Sequence, residues 1–362
     1  MDIQSLAQLP VWFTSLIVFL LGLAVGSFVN VVIYRVPRQM SIVTPGSRCP
    51  HCRTPIGARD KIPLLSYIVL NRKCRSCGAA ISVRYPVVEL LVGFLLLIVW
   101  RIDGPSWSLV PDWFFVVAML ALGAIDLEHR LLPDVITYPG FVLAVGWRGL
   151  MPEEVALPWL RSSGTTAQLM GAGLIASSGL ILLAIEWLDF YFIGRRCNQQ
   201  AESLHPTEES AYGKHLPLVV VILGILLASI FLLTTLRWPA GAAAIREAPV
   251  RSILSALFGA VVGAGLMWGL RLAYFALRRI EGLGFGDVKM MLMVGAYLGW
   301  QRTFLTLLTS SLLASIIGLV MVIRYRNRYI GIPYGIFLAA AAIVSLLVGK
   351  PLVRWYWGLS QP

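Results

Sequence analysis

The stretch WFTSLIVFLLGLAVGSFVNVVIY, residues 12–34, carries no charged side chain. It exceeds the roughly 20 apolar residues that a helix needs to cross a bilayer. It runs directly into Arg35, and no Lys or Arg lies in residues 1–11, so the basic start of a cleavable signal is missing. The run therefore reads as a retained membrane helix. Similar apolar runs recur near 86–101, 109–125, 134–151, 167–188, 216–236, 252–276, 287–299, 302–323 and 331–349. They predict an all-α polytopic membrane protein with ten candidate transmembrane helices. The run at 287–299 is the shortest. Gly22 and Gly26, and again Gly259 and Gly263, stand at a spacing that lets helices approach closely.

Composition agrees. Of the 362 residues, 58% are hydrophobic and 13% charged, against about a quarter charged in a soluble domain, and the mean hydropathy is +0.78. The net charge of +12 is scattered over loops between apolar runs and forms no continuous basic face. That excludes nucleic acid as a partner and leaves membrane lipid as the surrounding medium. Between Arg35 and Tyr85 the basic residues run from Arg35 to Arg84, with Asp60 the only acid. Such a loop belongs in the cytoplasm, so the N-terminus is expected outside. Alternating crossings then bring the loops around Asp126–Asp134, 277–287 and 324–330 to the cytoplasmic side.

The expected organisation is a first transmembrane helix over 1–36 and a small cytoplasmic module over 37–84. Membrane helices at 85–151 carry Asp126, an inserted segment at 152–250 brings two extra helices, and membrane helices at 251–362 carry Asp287.

The module holds Cys49-Pro-His-Cys52 and Cys74-Arg-Ser-Cys77-Gly78. Two such pairs suit tetrahedral Zn²⁺ held by four thiolates, with Cys49, Cys52, Cys74 and Cys77 as ligands. Metal binding would supply the folding free energy of a loop with no core of its own. Two disulfides are the alternative, disfavoured in a reducing cytosol. A four-thiolate site is closed, so the zinc is structural. His51 reads as a spacer and Cys197 as an incidental thiol.

Acids are scarce in the membrane part, which gives those at helix ends weight. Asp126 ends the third run, in Gly123-Ala-Ile-Asp126-Leu-Glu-His-Arg130-Leu-Leu-Pro-Asp134, and Asp287 opens the eighth, in Gly282-Leu-Gly284-Phe-Gly286-Asp287-Val-Lys289. Both fall on the cytoplasmic side. Two close carboxylates cannot both ionise readily, and a pair that shares a proton activates water for peptide hydrolysis without a covalent intermediate. Gly284 and Gly286 would ease the backbone and admit a substrate strand. The alternatives are a helix cap for Asp287 and an interfacial charge for Asp126. Asp134 reads as a cap for the fourth run, Glu128 as loop-exposed, and Lys289 as a snorkelling residue or an electrostatic neighbour of Asp287.

These residues resemble the type IV prepilin peptidase/N-methyltransferase family, leader peptidases of the GxGD aspartyl class. The likeness rests on Gly26-Ser-Phe-Val-Asn30-Val-Val-Ile-Tyr-Arg35-Val-Pro37, the cysteine pairs with Ile62-Pro-Leu-Leu-Ser66-Tyr between them, Ser82-Val-Arg84-Tyr85-Pro86-Val-Val-Glu89, Asp126 with Leu132-Pro-Asp134, and Gly284-Phe-Gly286-Asp287-Val-Lys289. It covers about 1–150 and 250–350. It implies a catalytic dyad of Asp126 and Asp287 in a bacterial inner membrane. The implied substrates are type IV prepilins or type II secretion pseudopilins, cut after the Gly that ends a short basic leader. It further implies N-methylation of the new N-terminus from S-adenosylmethionine, although no GxGxxG follows a strand in this chain. Glu89 is a candidate for amine recognition or methyl transfer, or else a structural partner for Arg84. Segment 152–250 departs from the family pattern, which implies about eight core transmembrane helices plus two inserted ones, and Lys61 departs too, where relatives often have Asn. A presenilin-like GxGD intramembrane protease and a zinc-capped transporter are the competing readings. The cysteine module and the interfacial position of Asp126 argue against the first. The second needs acids at mid-membrane depth, whereas Glu89, Glu186, Asp126 and Asp287 all lie near the ends of runs.

Overall fold

A computed structural model describes residues 9–151, 243–278, 283–325 and 333–359. The extra runs expected within 152–250, the polar loop between them and Cys197 lie outside these residues. The described chain is helical, with two isolated bridges in the cysteine module. Helix α1 spans Val11–Arg35, the short α2 Leu65–Val69, α3 Arg84–Asp103, α4 Leu109–His129 and α5 Asp134–Leu150. The second half has α6 at Ala243–Arg278, α7 at Phe285–Leu298, α8 at Trp300–Tyr325 and α9 at Gly335–Leu359.

Among the described residues, six helices are long and apolar enough to cross a membrane: α1, α3, α4, α6, α8 and α9. Their outer faces are apolar, with Leu20, Leu21 and Phe28 on α1 and Leu308, Leu312 and Leu319 on α8 exposed. Water does not reward such a surface, but lipid accommodates it. With its 14 residues, helix α7 is about 21 Å long, short of a hydrocarbon core of about 30 Å. Its interior position accounts for this. Val288 and the residues from Met290 to Ala296 are all buried, as expected of a helix apolar all round.

Two apolar clusters share α4. Ala121 and Ile125 pack with Val29 and Ile33 of α1 and with Val88 and Val92 of α3. Phe115, Met119 and Leu122 pack with Met290, Met293 and Leu338. The helix carrying Asp126 is thus gripped from both sides.

Glycines set the closest crossings. A Cβ at Gly22 or Gly26 would lie 2.7 Å from the Cα of Gly93 or Glu89 across the α1–α3 seam. Gly259 of α6 and Gly295 of α7 meet backbone to backbone, each leaving no space for a Cβ beside the other's carbonyl. Both glycine pairs read from the sequence are therefore packing sites. At the far end of α7, the Tyr297 hydroxyl donates to buried Asp112 and the Tyr297 ring stacks on Phe115 at 4.4 Å. Arg148 Nη2 donates to the Tyr297 carbonyl at 2.7 Å.

Gly295→Ala should force α6 and α7 apart and cost about 1–3 kcal/mol, the usual penalty of overpacking. Gly265→Ala on α6 meets nothing within 4 Å and should leave the detergent-solubilised protein's melting temperature unchanged. Thermal unfolding of the two variants side by side checks the pair.

Candidate active site and metal centre

Asp126 lies one turn before the end of α4 and is buried. Its Oδ2 accepts a hydrogen bond from the Ile336 N–H at 3.2 Å. Ile336 is in the first turn of α9, where backbone N–H groups lack helical partners and the helix dipole favours negative charge. A Cβ on Gly335 would sit 2.8 Å from Asp126 Oδ2, so glycine there is what lets the carboxylate reach the helix end. Pro333-Tyr334-Gly335 reads from sequence as a helix start, but nothing in it names the carboxylate it receives.

Asp287 lies in the first turn of α7 and is equally buried. The helix begins at Phe285 with Gly284 at the cap position and no capping side chain. Asp287 is therefore inside the helix and is not its cap. It lies within the electrostatic reach of Asp126 and of Arg271. Arg271 is a buried residue of α6 whose guanidinium carbon stands 5.6 Å from the centre of the Phe285 ring. Two carboxylates from opposite halves of the chain thus come together at one end of the bundle, each at a helix N-terminus.

The two motif glycines divide their work differently from expectation. Gly284 has φ −70 and ψ 147, angles any residue adopts, so backbone freedom is not its purpose. The nearest atom to a Cβ there would be Asp287 Oδ2 at 3.7 Å, so the approach to the carboxylate is open. Gly286 serves packing, since its Cβ would meet the Leu132 side chain at 2.8 Å.

Lys289 Nζ donates to both oxygens of Asp134, at 3.0 and 2.9 Å. The amine also lies 5.0 Å from the Phe285 ring centre and 5.3 Å from that of Tyr138. The chain therefore pairs Lys289 with Asp134, and Asp134 makes no capping hydrogen bond at the start of α5. The first turn of α7 is pinned to Leu132 of the α4–α5 loop by the Gly286 contact and to the start of α5 by this ion pair.

Glu128 is a helical residue of α4, where Arg84 Nη1 donates to its carboxylate. Arg84 is thus engaged with Glu128. Glu89, buried on α3, instead accepts the Leu64 N–H at 2.8 Å.

The four cysteine sulfurs lie within 4.8 Å of one another, and all four thiols are free. Cys49 Sγ and Cys77 Sγ are 3.8 Å apart. A tetrahedron with Zn–S bonds of about 2.3 Å has edges of about 3.8 Å, so the donor set fits zinc. The two knuckles repeat one design. Arg53 and Gly78 donate their N–H to the carbonyls of Cys49 and Cys74, both at 2.9 Å, and have φ of 58 and 70. Hydrogen bonds from the side chain and then the backbone of Thr54 bring the Cys52 thiol down to about 6. Backbone hydrogen bonds from Cys77 and Ser76 lower Cys74. Both shifts favour the thiolate that ligates metal, whereas at Cys77 a backbone hydrogen bond from Ala79 is outweighed by desolvation and the three neighbouring thiols, which push the thiol up to about 11.

Residues 20–102 match the bacterial peptidase A24 N-terminal domain, and residues 212–319 match the type IV leader peptidase family. The first range holds the cysteines and Glu89, the second holds Asp287, and Asp126 lies between them. A prepilin leader peptidase/N-methyltransferase of Pseudomonas aeruginosa is 30% identical over 380 residues, covering 98% of this chain and 97% of the relative. One from Aeromonas salmonicida is 28% identical over 371 residues, covering 95% and 94%. One from Myxococcus xanthus is 46% identical over 142 residues, covering 38% and 42%. No solved structure matches. A polytopic helical bundle with two carboxylates at one end is the layout of a membrane aspartyl peptidase. The chain belongs to the prepilin leader peptidase/N-methyltransferase family.

Gly335→Ala should displace the Asp126 carboxylate and lower peptidase turnover by about 100-fold, the scale of a 1 Å misplacement, with the fold intact by thermal melting. Cys77→Ser should lower bound zinc below the one ion per chain expected of the native protein, read by elemental analysis, and should loosen the 37–84 module to limited proteolysis.

Proposed function

We propose that this chain cleaves the leader from type IV prepilins or type II secretion pseudopilins, with Asp126 and Asp287 as the acid–base pair. The observation that carries this reading is the convergence of the two buried carboxylates, from α4 and α7, at one end of the bundle. The ionised member takes a proton from water as that water attacks the scissile carbonyl, and the protonated member donates to the carbonyl oxygen. The roles then reverse to expel the amine. The Ile336 N–H holds Asp126 in place through the cycle, and the open side at Gly284 admits the scissile bond.

The membrane orientation follows the basic loop. The N-terminus lies outside the bacterial inner membrane, and the dyad and the 37–84 module face the cytoplasm. The substrate's apolar helix lies in lipid against the bundle, its leader stays in the cytoplasm, and the cut falls where the two meet. Cys49, Cys52, Cys74 and Cys77 hold a structural zinc ion. The new N-terminus is then N-methylated, with S-adenosylmethionine supplying the methyl group when bound.

Asp126→Asn and Asp287→Asn should each lower leader removal by about 10,000-fold, the scale on which loss of one member of a concerted proton-transfer set acts. Mass spectrometry of a prepilin incubated with each variant in liposomes checks this, and full cleavage by either would sink the dyad. Lys289→Met should lower kcat by about 10- to 100-fold through misplacement of Asp287. Burst and steady-state kinetics separate that effect from a change in binding.

A further inference from the structure

We propose that the α1–α3 seam at Ser27, Asn30 and Glu89 binds the α-ammonium of the freshly trimmed chain. The inference rests on the peptidase reading, since hydrolysis of a peptide bond leaves a carboxylate on the leader and an ammonium on the mature chain.

Three observations carry it. Glu89 is a buried acid, 7% exposed, with no Lys or Arg among its hydrogen-bond partners in the described residues. Its carboxylate accepts from the Leu64 N–H at 2.8 Å, with the Ser27 side chain beside it. Asn30 is 1% exposed; its Nδ2 donates to the carbonyls of Tyr85 at 3.0 Å and Gly26 at 3.3 Å, while its Oδ1 is buried without a donor. A buried acceptor without a donor costs free energy, and here it lies on the same seam as an acid with no cation. The set offers acceptors and negative charge, which an ammonium with its three N–H donors satisfies.

The third observation is strain. Leu64 has φ 58 and ψ −49, and the Leu65 N–H closes back on the Pro63 carbonyl at 2.6 Å. This is a γ-turn of the rare hand, a backbone state that persists only where its surroundings impose it. Here the Leu64 N–H is aimed at Glu89, and the turn fixes the carboxylate from the side of the cysteine module.

The position suits the product. Glu89 lies five residues into α3, about 7.5 Å from its start, and Asp126 lies three residues from the end of α4, about 4.5 Å. The Arg84–Glu128 ion pair fastens those two helix ends to each other. The seam and the dyad therefore lie at similar depth on the same side of the bundle. An ammonium released at one is placed to reach the other while its apolar helix stays in lipid.

The test uses a peptide of the mature N-terminal helix, with its terminus free or acetylated, bound to the full-length protein in detergent without methyl donor. Wild type should bind the free amine about tenfold more tightly than the acetylated form, the effect of one charge-assisted hydrogen bond. Glu89→Gln keeps an acceptor for the Leu64 N–H but removes the charge, and it should bind both forms alike. Asn30→Ala should reduce the discrimination, with a lower melting temperature from the lost hydrogen bond to Tyr85. Methylation of a supplied, already trimmed substrate by Glu89→Gln should be lost. An equal preference for the free amine in wild type and both variants overturns the proposal, as does a Glu89→Gln defect confined to the affinity for methyl donor. Absence of cleavage by wild type would instead strike the peptidase reading, because binding discrimination is read separately from it.

Discussion

The placement of Asp126 and Asp287 depends on one packing constraint: the first turn of α7 must lie against the α4–α5 loop and the start of α5. Gly286 admits Leu132 at a distance no side chain would tolerate, and Lys289 locks onto Asp134 beside it. Helix α7 is too short to reach across a bilayer and is enclosed by its neighbours, so its depth is set by contacts at its two ends. The glycine loop and the Lys289–Asp134 pair hold the Asp287 end, and the Asp112–Tyr297–Arg148 contacts hold the other. A buried helix anchored in this way carries its aspartate at a fixed level.

Asp126 is placed by a different device. Its carboxylate is drawn to the first turn of α9, where the Ile336 N–H has no helical acceptor. An acid removed from water needs hydrogen-bond donors, and a helix N-terminus provides them without adding a full positive charge. The carboxylate is held in position by a backbone N–H, with the Arg130 charge in its vicinity.

The cysteine module is joined to the membrane bundle at few points, and these have functional weight. Arg35 donates to the carbonyls of Ser41 and Pro45, and Leu64 donates to Glu89. The module's own architecture is two repeated turns around four sulfurs. Such a site suits a metal ion as the source of the module's stability, in place of an apolar core. Its position over the α1–α3 seam follows from the γ-turn at Leu64.

Much of this was legible in the residues alone. Uncharged runs of bilayer length determine a polytopic helical protein, because an unpaired backbone in lipid has no other solution. Two CxxC pairs determine a four-thiolate site, because the spacing itself forms the turns, and acids at apolar helix ends single out Asp126 and Asp287 for their cost. The partners of these groups were settled only by tertiary structure. That Lys289 meets Asp134, that Glu89 meets Leu64 and leaves Arg84 to Glu128, and that Gly335 makes room for Asp126 all depend on contacts between residues far apart in the chain. Local pattern reports the length, polarity and ends of a helix, whereas which side chain faces which across a seam is decided by how the helices pack.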